Sequence, residues 1–319
     1  MDFKVGMIGT GSIAEVSHAP AVQEFDHTEL VAVLSRNKTR GTEFLKRHQS
    51  NGEAFVDLES FAKADFDIAI VCSPDGMHFE QAKQCLLNGK HVIIEKPMAI
   101  SEAEAQELND LSANEGLLCV GFHLRHHLGH RKLHKQITQD NVIGELKHIR
   151  AIWAFPIEDD SNWRAKEEMT KWWSLSAVGS HCLDLVRWFA NDHNDWKQFS
   201  SVIKNDVWNG PHDETAVISA QLFSGPTVDV TSSVLIGPYS RLEIFGTDGY
   251  AICDGTFGRF GGGKILINGV EVEYEQKNPF KEQLNSFTES IKSGSLVIPL
   301  ASSEAGLRSI KDLTLAVEQ

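Results

Sequence analysis

The first third of the chain alternates short apolar runs with stretches whose apolar residues recur at helical spacing. The apolar runs predict strands at Lys4–Gly9, Leu30–Leu34, Phe66–Cys72, His91–Glu95 and Leu117–Phe122. Between them, the pattern predicts one helix over Met77–Leu87 and another from Ser101, which opens a capping box, to Gly116. Continuous apolar strands that alternate with helices indicate a parallel sheet covered on both faces.

After Phe122 the pattern changes to alternating apolar and polar residues, separated by turn signals such as Asn268-Gly269. Strands are predicted at Glu145–Phe155, Thr215–Phe223, Val228–Leu235, Arg241–Phe245 and Lys264–Tyr274. Helices are predicted at Gly179–Ala190, around Pro279–Lys292 and at Ser302–Val317. Consecutive strands joined by short turns favour a mostly antiparallel sheet. We therefore predict an α/β protein with a doubly wound parallel sheet in residues 1–121 and an α+β domain with an open sheet in residues 122–319.

Length and composition agree with a two-domain globular protein of 319 residues, 41% of them hydrophobic and 23% charged. The net charge of −14 is spread along the chain, which argues against a nucleic-acid partner because phosphate contacts require clustered Lys and Arg. No apolar run approaches the length of a membrane span, and the first residues do not resemble a signal peptide. We therefore expect a cytoplasmic protein without a membrane partner. Five cysteines without C-x-x-C spacing argue against a disulfide framework or a zinc–thiolate site.

A glycine-rich loop follows the first predicted strand and opens a helix. It reads Gly9-Thr10-Gly11-Ser12-Ile13-Ala14. The first glycine permits a tight turn, the second lets the backbone approach a pyrophosphate, and Ala14 lets the helix pack closely on the strand. A plain turn is the alternative. Because a strand precedes the loop and a helix follows it, we predict a dinucleotide site in which residues 9–13 bind the cofactor at the helix N-terminus.

The residues after the second strand bear on which dinucleotide is bound. An acidic residue there would bind the ribose 2′-hydroxyl of NAD. The chain instead has Ser35-Arg36-Asn37-Lys38, followed by Arg40, without a carboxylate. A hydroxyl and several cations suit a 2′-phosphate, and Arg36 is able to stack on adenine. We therefore predict NADP as the cofactor, bound by Ser35 and Arg36. Solvated surface cations and NAD are the alternative.

Two further segments end strands at the edge of the sheet where ligands of such folds bind. Cys72-Ser73-Pro74 ends the third strand, with His78 shortly after, and we expect it to border the nicotinamide half of the cofactor. Glu95-Lys96-Pro97 ends the fourth strand. A lysine here, partly desolvated beside a positively charged nicotinamide, is able to exchange a proton with a substrate hydroxyl. Glu95 could orient it, and a cis bond before Pro97 could fix its direction. A surface lysine and a packing histidine are the alternatives.

Motifs along nearly the whole chain together resemble the glucose–fructose oxidoreductase and inositol dehydrogenase family, often written Gfo/Idh/MocA. The matching residues, in chain order, are Gly9-x-Gly11, Ser73-Pro74 with His78, Glu95-Lys96-Pro97, Phe122 with Arg125, Val142–Leu146, Trp163-Arg164 and Gly179-x-His181-x-x-Asp184. The resemblance implies a Rossmann domain followed by an open-sheet α/β domain. It also implies NAD(P)-linked oxidation or reduction of sugars, cyclitols and related compounds, in a homodimer or homotetramer formed through the second sheet.

The same resemblance implies roles for particular residues. Lys96 matches the usual proton donor or acceptor, and His181 matches a histidine that commonly contacts the reacting hydroxyl. Asp184 lies one helical turn from His181 and could steady it. Substrate-binding residues are expected at Arg125, Trp163, Arg164, Trp172 and Asp184. A salt bridge for the arginines, packing for the tryptophans and a capping or packing role for His181 stay open as alternatives.

One position departs from the family's pattern. Many members carry an aspartate four residues before the histidine, where this chain has Ala177. Acid–base chemistry would then rest on Lys96 and His181 alone. The leading hypothesis is an enzyme, an NAD(P)-dependent dehydrogenase or reductase acting on CH–OH groups of a small-molecule substrate. Two alternatives stay open: a reductase of an imine, a diol-type aromatic or a tetrapyrrole on the same fold, or an inactive dinucleotide-binding sensor.

A histidine-rich segment follows the first domain. It contains His123, His126, His127, His130 and His134. Three of these recur at helical i, i+4 spacing and could hold a metal. No carboxylate or cysteine supports them nearby in the sequence, and hydride transfer to a nicotinamide needs no metal. We therefore predict that the protein has no metal site.

Overall fold

The computed structural model describes residues 2–191 and 195–318. The chain divides into two compact units. The first unit comprises residues 1–123 and 280–310, and the second unit comprises residues 124–279 and 311–319. Within the described ranges, no helix is long and apolar enough to cross a bilayer.

The first unit is built on a parallel sheet. Its strands up to residue 123 are β1 (Phe3–Ile8), β2 (Thr28–Leu34), β3 (Glu53–Phe55), β4 (Ile68–Val71), β5 (His91–Ile94) and β6 (Leu118–Val120). They lie in the order β6-β5-β4-β1-β2-β3, and every neighbouring pair is parallel. This strand order, which reverses its direction of winding beside β1, is that of a doubly wound dinucleotide-binding sheet.

Helices connect these parallel strands. After β1 the chain forms a π-helical segment, Ala14–His18. The α-helices are α1 (Ala19–Glu24), α2 (Lys38–Arg47), α3 (Leu58–Ala62), α4 (His78–Leu87) and α5 (Glu102–Ser112). Three of the helices begin at a side-chain cap, because Asn37, Asp57 and Ser101 each accept a hydrogen bond from the backbone N–H three residues on.

The second unit is built on an eight-stranded sheet. Its strands are β7 (Leu146–Ala154), β8 (Trp196–Lys204), β9 (Thr215–Leu222), β10 (Thr227–Ser233), β11 (Tyr239–Gly246), β12 (Tyr250–Asp254), β13 (Lys264–Ile267) and β14 (Val270–Glu271). They lie in the order β14-β13-β12-β11-β7-β10-β9-β8. The pair of β7 and β10 is parallel and the other pairs are antiparallel, so the predicted mostly antiparallel sheet is confirmed.

One face of the second sheet is covered and the other is open. The covering helices are α6 (Leu128–Thr138) and α7 (Ser180–Ala190), and a π-helical segment, Leu175–Gly179, leads directly into α7. α7 packs on β7, and a Cβ at Gly179 would lie 2.9 Å from Ser232 Oγ of β10. Burial alternates along β9, which is typical of a sheet with one solvated face.

The end of the chain belongs largely to the first unit. It forms α8 (Pro279–Ser293), β15 (Ala301–Ser302) and α9 (Ser303–Val317), and β15 pairs antiparallel with β6. Leu284, Phe287 and Leu300 are buried in the core beneath the parallel sheet. The predicted second domain, residues 122–319, differs from the second unit here, because the apolar face of a helix does not reveal in the sequence which sheet it covers.

Two differences from the predicted elements are informative. β8 is not among the predicted strands, because it is an edge strand whose polar residues interrupt the apolar pattern. The run Lys264–Tyr274, predicted as one strand, forms β13 and β14. Asn268 and Gly269 separate them with φ values of 51° and 81°, as a two-residue hairpin turn requires.

Candidate active site

The glycine-rich loop lies between β1 and the π-helical segment Ala14–His18. Gly9 has a φ of +94°, and a Cβ there would lie 2.8 Å from the carbonyl oxygen of Cys72, so a side chain is excluded. Burial raises the pKa of the Cys72 thiol, which therefore stays neutral. Apart from Gly11 itself and the residues next to it in the chain, no described group lies within 4 Å of the position that a Cβ at Gly11 would take. The open side of the loop at Gly11 therefore fits a pyrophosphate.

The residues after β2 contact this loop. Ser35 is buried, and its Oγ lies 3.5 Å from Thr10 Oγ1. Arg40, in the first turn of α2, donates from Nε to Thr10 Oγ1 at 2.7 Å and from Nη2 to the Thr10 carbonyl oxygen at 3.0 Å. Arg36 is exposed at a surface depression of about 550 Å³. The depression is lined by Arg36, Asn37, Thr39, Arg40 and Glu43. Arg40 is a contact that sequence reasoning did not single out, although its charge was noted.

His78 connects two of the predicted cofactor segments. It is buried at the start of α4. Its ring nitrogens lie 2.7 Å from the carbonyl oxygen of Pro97 and 2.8 Å from that of Ser73. The imidazole therefore ties the turn after β4 to the chain that follows β5, which corresponds to the packing role that the sequence left open.

Glu95 and Lys96 form a buried charged pair of residues after β5. They are 6% and 8% exposed, and the Lys96–Pro97 bond is cis, as the sequence suggested. His18 Nε2 donates to Glu95 Oε1 at 2.8 Å, and the Lys96 backbone N–H donates to Oε2 at 3.3 Å. Burial raises the pKa of Glu95, but the His18 hydrogen bond and the charges of His18, Lys96 and His123 together hold it below its ordinary value. Buried ionisable groups with perturbed pKa values are often found at active sites.

In the second unit, His181 lies in the first turn of α7 and is 3% exposed. Its ring faces Trp153 of β7, with the ring centroids 5.3 Å apart. Trp153 also meets Phe257 edge-on at 5.3 Å. Sequence reasoning did not find Trp153, because one aromatic residue in a predicted strand does not reveal its neighbours. Its half-buried indole beside a histidine offers an apolar face to a ligand ring.

Arg125 and Asp184 form a buried, bidentate salt bridge. Arg125 Nε donates to Asp184 Oδ2 at 2.8 Å, and Nη2 donates to Oδ1 at 2.5 Å. Both side chains are less than one-tenth exposed. The structure therefore shows the salt bridge that the sequence left open for Arg125. It also gives Asp184 a partner other than the predicted His181, so that the pair anchors α7.

The predicted aromatic residues of the second unit divide into two groups. Trp172 and Trp173 are each 2% exposed, and Trp173 stacks on Trp208 with centroids 4.8 Å apart. Trp172 is as deeply buried as Trp173, and the expected substrate contact at Trp172 stays a prediction. Trp163 is half-buried, and the guanidinium of Arg164 lies 4.1 Å from its ring centroid. Those two residues remain candidates for a substrate contact.

Asp213 is a buried carboxylate that sequence reasoning missed. Its Oδ1 accepts from the Trp173 backbone N–H at 2.8 Å, and its Oδ2 accepts from Ser174 Oγ at 2.6 Å and from the Leu175 N–H at 2.7 Å. Burial raises the pKa of Asp213 to about 6, against the opposing effect of these hydrogen bonds. The carboxylate anchors the start of the π-helical segment that leads to His181. Asp213 is far along the chain from these three partners, so no sequence motif predicts the contact.

The histidine-rich segment is used for packing. His130 lies 3.0 Å through Nδ1 from the carbonyl oxygen of Leu124 and 2.8 Å through Nε2 from Thr256 Oγ1. His134 stacks on Trp188 with centroids 4.2 Å apart. In the part of the chain that the structure describes, no group of three His, Cys, Asp or Glu side chains is arranged to hold a metal ion.

A doubly wound sheet with a glycine-rich loop, joined to a unit with an open sheet, defines the class of two-domain dinucleotide-binding proteins. A family model described as "Oxidoreductase family, NAD-binding Rossmann fold" matches residues 3–122. A second, described as the GFO/IDH/MocA C-terminal domain, matches residues 131–252. The chain belongs to the Gfo/Idh/MocA family, and the predicted family is confirmed.

Individual relatives differ in what their names describe. Over 144 residues the chain is 33% identical to 4-carboxy-2-hydroxymuconate-6-semialdehyde dehydrogenase of Sphingobium sp., covering 45% of this chain and 44% of the relative. Over 183 residues it is 27% identical to scyllo-inositol 2-dehydrogenase (NADP(+)) of Bacillus subtilis, covering 57% and 50%. The chain thus spans about half the length of these curated relatives.

The fold is also found in a solved structure. The crystal structure of aldose-aldose oxidoreductase from Caulobacter crescentus, complexed with glycerol, matches with a TM-score of 0.91 at 19% identity. The match covers 100% of this chain and 97% of that chain. At this identity the likeness shows the fold.

Proposed function

We propose that the chain is an NADP(H)-dependent oxidoreductase that interconverts an alcohol and a carbonyl in a sugar, polyol or related compound. The observation that carries the proposal is the buried Glu95-Lys96 pair after β5. β5 pairs in parallel with β4, and β4 with β1, so this pair follows its strand at the same sheet edge as the glycine-rich loop. Doubly wound sheets bind their ligands at this edge.

The proposed chemistry assigns one task to each group of residues. When bound, the nicotinamide supplies or accepts the hydride at its C4 atom. Residues 9–13 hold the pyrophosphate with backbone N–H groups at the start of the helix. Lys96 gives a proton to the substrate oxygen during reduction and takes it back during oxidation. His181, in the second unit, donates a hydrogen bond to a substrate oxygen and so helps to orient the substrate.

Replacing Lys96 with Met tests the proposed function, because the change keeps the apolar stem and removes the amine. We expect the variant to fold and to bind NADPH as the wild type does, while kcat falls at least about 100-fold, as loss of a general acid–base group does. Lys83→Met is the matched control, since it removes a lysine of α4 that pairs with Glu107. Wild-type turnover by Lys96→Met would refute the role proposed for Lys96.

The preference for NADP rests on the residues after β2. Ser35, Arg36 and Arg40 offer a hydroxyl and two cations, and a relative named for NADP(+) is 27% identical over the matched part. Arg36→Ala should lower kcat/KM with NADP about 10-fold through loss of a phosphate contact and leave kcat/KM with NAD unchanged. Lys46→Ala, at an exposed position on α2, is the control. A wild-type protein that uses NAD more efficiently than NADP would overturn the preference.

A second candidate substrate is a carboxylated semialdehyde rather than a sugar or polyol. The observation that favours it is the 33% identity to a dehydrogenase named for such a compound. A panel containing scyllo-inositol, D-glucose and a carboxylated aliphatic semialdehyde, followed by nicotinamide absorbance, separates the two. The higher kcat/KM decides between them. Tight cofactor binding without turnover of any compound would favour the inactive sensor.

We also propose that a second copy of the chain covers the open face of the second sheet. Val202 of β8 and Val217 of β9 lie opposite each other in register and are 69% and 44% exposed. Exposed apolar pairs on an open sheet are sites of association. Light scattering should give the mass of a dimer or tetramer for the wild type, and Val217→Lys should lower that mass. A monomeric wild type would refute this proposal.

A further inference from the structure

Glu95 lies in a cluster of side chains that come from four separate parts of the first unit. We define the Glu95 cluster as His18, Glu95, Lys96, His123 and Phe280. His18 ends the π-helical segment that follows the glycine-rich loop, and its Nε2 lies 2.8 Å from Glu95 Oε1. His18 is 3% exposed, so water cannot easily take its place as a hydrogen-bond partner of Glu95. Loss of this buried hydrogen bond would therefore be costly.

The imidazole of His18 is itself fixed by an aromatic contact. Its ring meets Phe280 edge-on, with centroids 4.9 Å apart and an interplanar angle of 81°. His123 stacks on the same phenyl ring at 4.4 Å and 14°. Phe280 is 2% exposed. The orientation of His18 is therefore set by packing as well as by Glu95.

The carboxylate of Glu95 has little room to move. A Cβ at Gly121 would lie 3.0 Å from Glu95 Oε1 and 3.1 Å from its Cδ, which is tighter than ordinary van der Waals contact. Among the described residues, the charged and titratable groups near the carboxylate include His18, Lys96, His123 and the thiol of Cys72. An ionised carboxylate in such a place requires a hydrogen-bond donor, because burial alone disfavours the charge.

We propose that His18 is a positioning residue for the reaction, which holds the Glu95 carboxylate in place and thereby orients the amine of Lys96. The inference rests on the proposed function of Lys96. His18 also follows the loop that binds the cofactor, so the same short segment contributes to both the dinucleotide site and the proton-transfer residue. His78 contacts the carbonyl oxygen of Pro97, the residue that follows Lys96.

Kinetics of two His18 variants test the proposal with scyllo-inositol, or with the panel compound that the wild type turns over fastest. His18→Leu removes the donor, and we expect kcat to fall about 10-fold to 100-fold, with KM and the Kd of NADPH within about twofold of wild type. His18→Gln restores an N–H donor near the position of Nε2 and should recover most of kcat. His48→Leu is the matched control, because His48 is 8% exposed and lies 3.3 Å from Glu15 in the same unit.

A second measurement needs neither substrate nor cofactor. In protein labelled with ¹³C at glutamate carboxyl carbons, the Glu95 resonance is assigned from its absence in Glu95→Gln. At neutral pH this resonance should move toward the protonated position in His18→Leu and stay near its wild-type position in His18→Gln. A role of His18 in packing alone would leave the Glu95 resonance unchanged.

The outcomes separate this inference from the proposed function. If Lys96→Met keeps its turnover, the proposed function fails. If Lys96→Met loses turnover while His18→Leu keeps kcat, or if His18→Gln recovers nothing, only the role of His18 is overturned. Should His18→Leu fail to fold, Gly121→Ala decides, because its methyl group pushes on the Glu95 carboxylate directly. The proposal then requires a lower kcat with unchanged NADPH binding, and an unchanged kcat overturns it.

Discussion

The two units carry their candidate residues in different ways. In the first unit the loop at residues 9–14 is continuous, and Glu95 is adjacent to Lys96. In the second unit, Arg125 pairs with Asp184 across 59 positions, and Ser174 with Asp213 across 39. The first unit also contains a contact between distant positions, the hydrogen bond from His18 to Glu95 across 77 positions. Short motifs thus locate a site, while contacts between distant positions hold it in place.

The distribution of tryptophan allows the two units to be followed separately. All seven tryptophans lie between residues 153 and 208, within the second unit. Tryptophan fluorescence during unfolding therefore reports on the second unit. Amide hydrogen exchange, read by mass spectrometry, reports on both units and on individual helices.

The largest expected loss of stability comes from breaking the salt bridge of the second unit. Arg125→Met removes the bidentate guanidinium from the buried Asp184 carboxylate, which should lower the free energy of unfolding by about 3–5 kcal/mol. Urea denaturation followed by tryptophan fluorescence measures this loss. Arg125→Met combined with Asp184→Leu should recover part of it, because the buried carboxylate is then removed as well. A loss below about 1 kcal/mol in the single variant would show that the pair does not hold α7 in place.

A smaller loss is expected at the other distant contact of the second unit. In Asp213→Asn an NH₂ group replaces one of the two accepting oxygens and faces a backbone N–H of Trp173 or Leu175. One buried donor then lacks an acceptor, so the free energy of unfolding should fall by about 1–3 kcal/mol. The same fluorescence measurement applies. Asp206→Asn, at an exposed carboxylate of the same unit, is the control and should leave stability unchanged.

Asp213 also makes a specific prediction about pH. Its pKa is about 6 in the folded chain against 3.8 for an ordinary aspartate, because of its burial. The folded state therefore binds more protons than the unfolded state between these values, and the contribution of Asp213 to stability falls as pH rises from about 4 to about 6. The difference in unfolding free energy between wild type and Asp213→Asn should decrease over that range. A difference independent of pH would contradict the raised pKa.

The same contrast explains what the sequence could predict. The loop at Gly9 and the strand end at Lys96 were predictable, because parallel topology brings the carboxyl ends of neighbouring strands to one edge. Trp153 beside His181, and Asp213 at the start of the helical segment, were not predictable. Their positions depend on how the strands of the second sheet pair and on how α7 packs on them. The hydrophobic periodicity of the sequence predicts neither. Arg125 was predictable as a candidate residue, but its pairing with Asp184, 59 positions away, was not.

The smallest effect is expected at a local contact of the first unit. Ser101 Oγ accepts from the Glu104 N–H at 3.3 Å, and the Glu104 carboxylate accepts from the Ile100 N–H at 3.2 Å. Ser101→Ala should cost about 1 kcal/mol, as loss of a helix cap usually does. Hydrogen exchange of the amides of α5 measures it. If Ser101→Ala lowered the free energy of unfolding as much as Arg125→Met, the local contact would be as important for stability as the distant one.

The return of residues 280–310 to the first unit determines when that unit can be completed during synthesis. Its core takes Leu284, Phe287 and Leu300 from the far end of the chain. Domains generally fold from the N-terminus as they emerge from the ribosome. Here, residues 124–279 of the second unit are translated before β15 can pair with β6. The nascent N-terminal sheet therefore keeps an unpaired edge at β6 until Ala301 and Ser302 have left the exit tunnel.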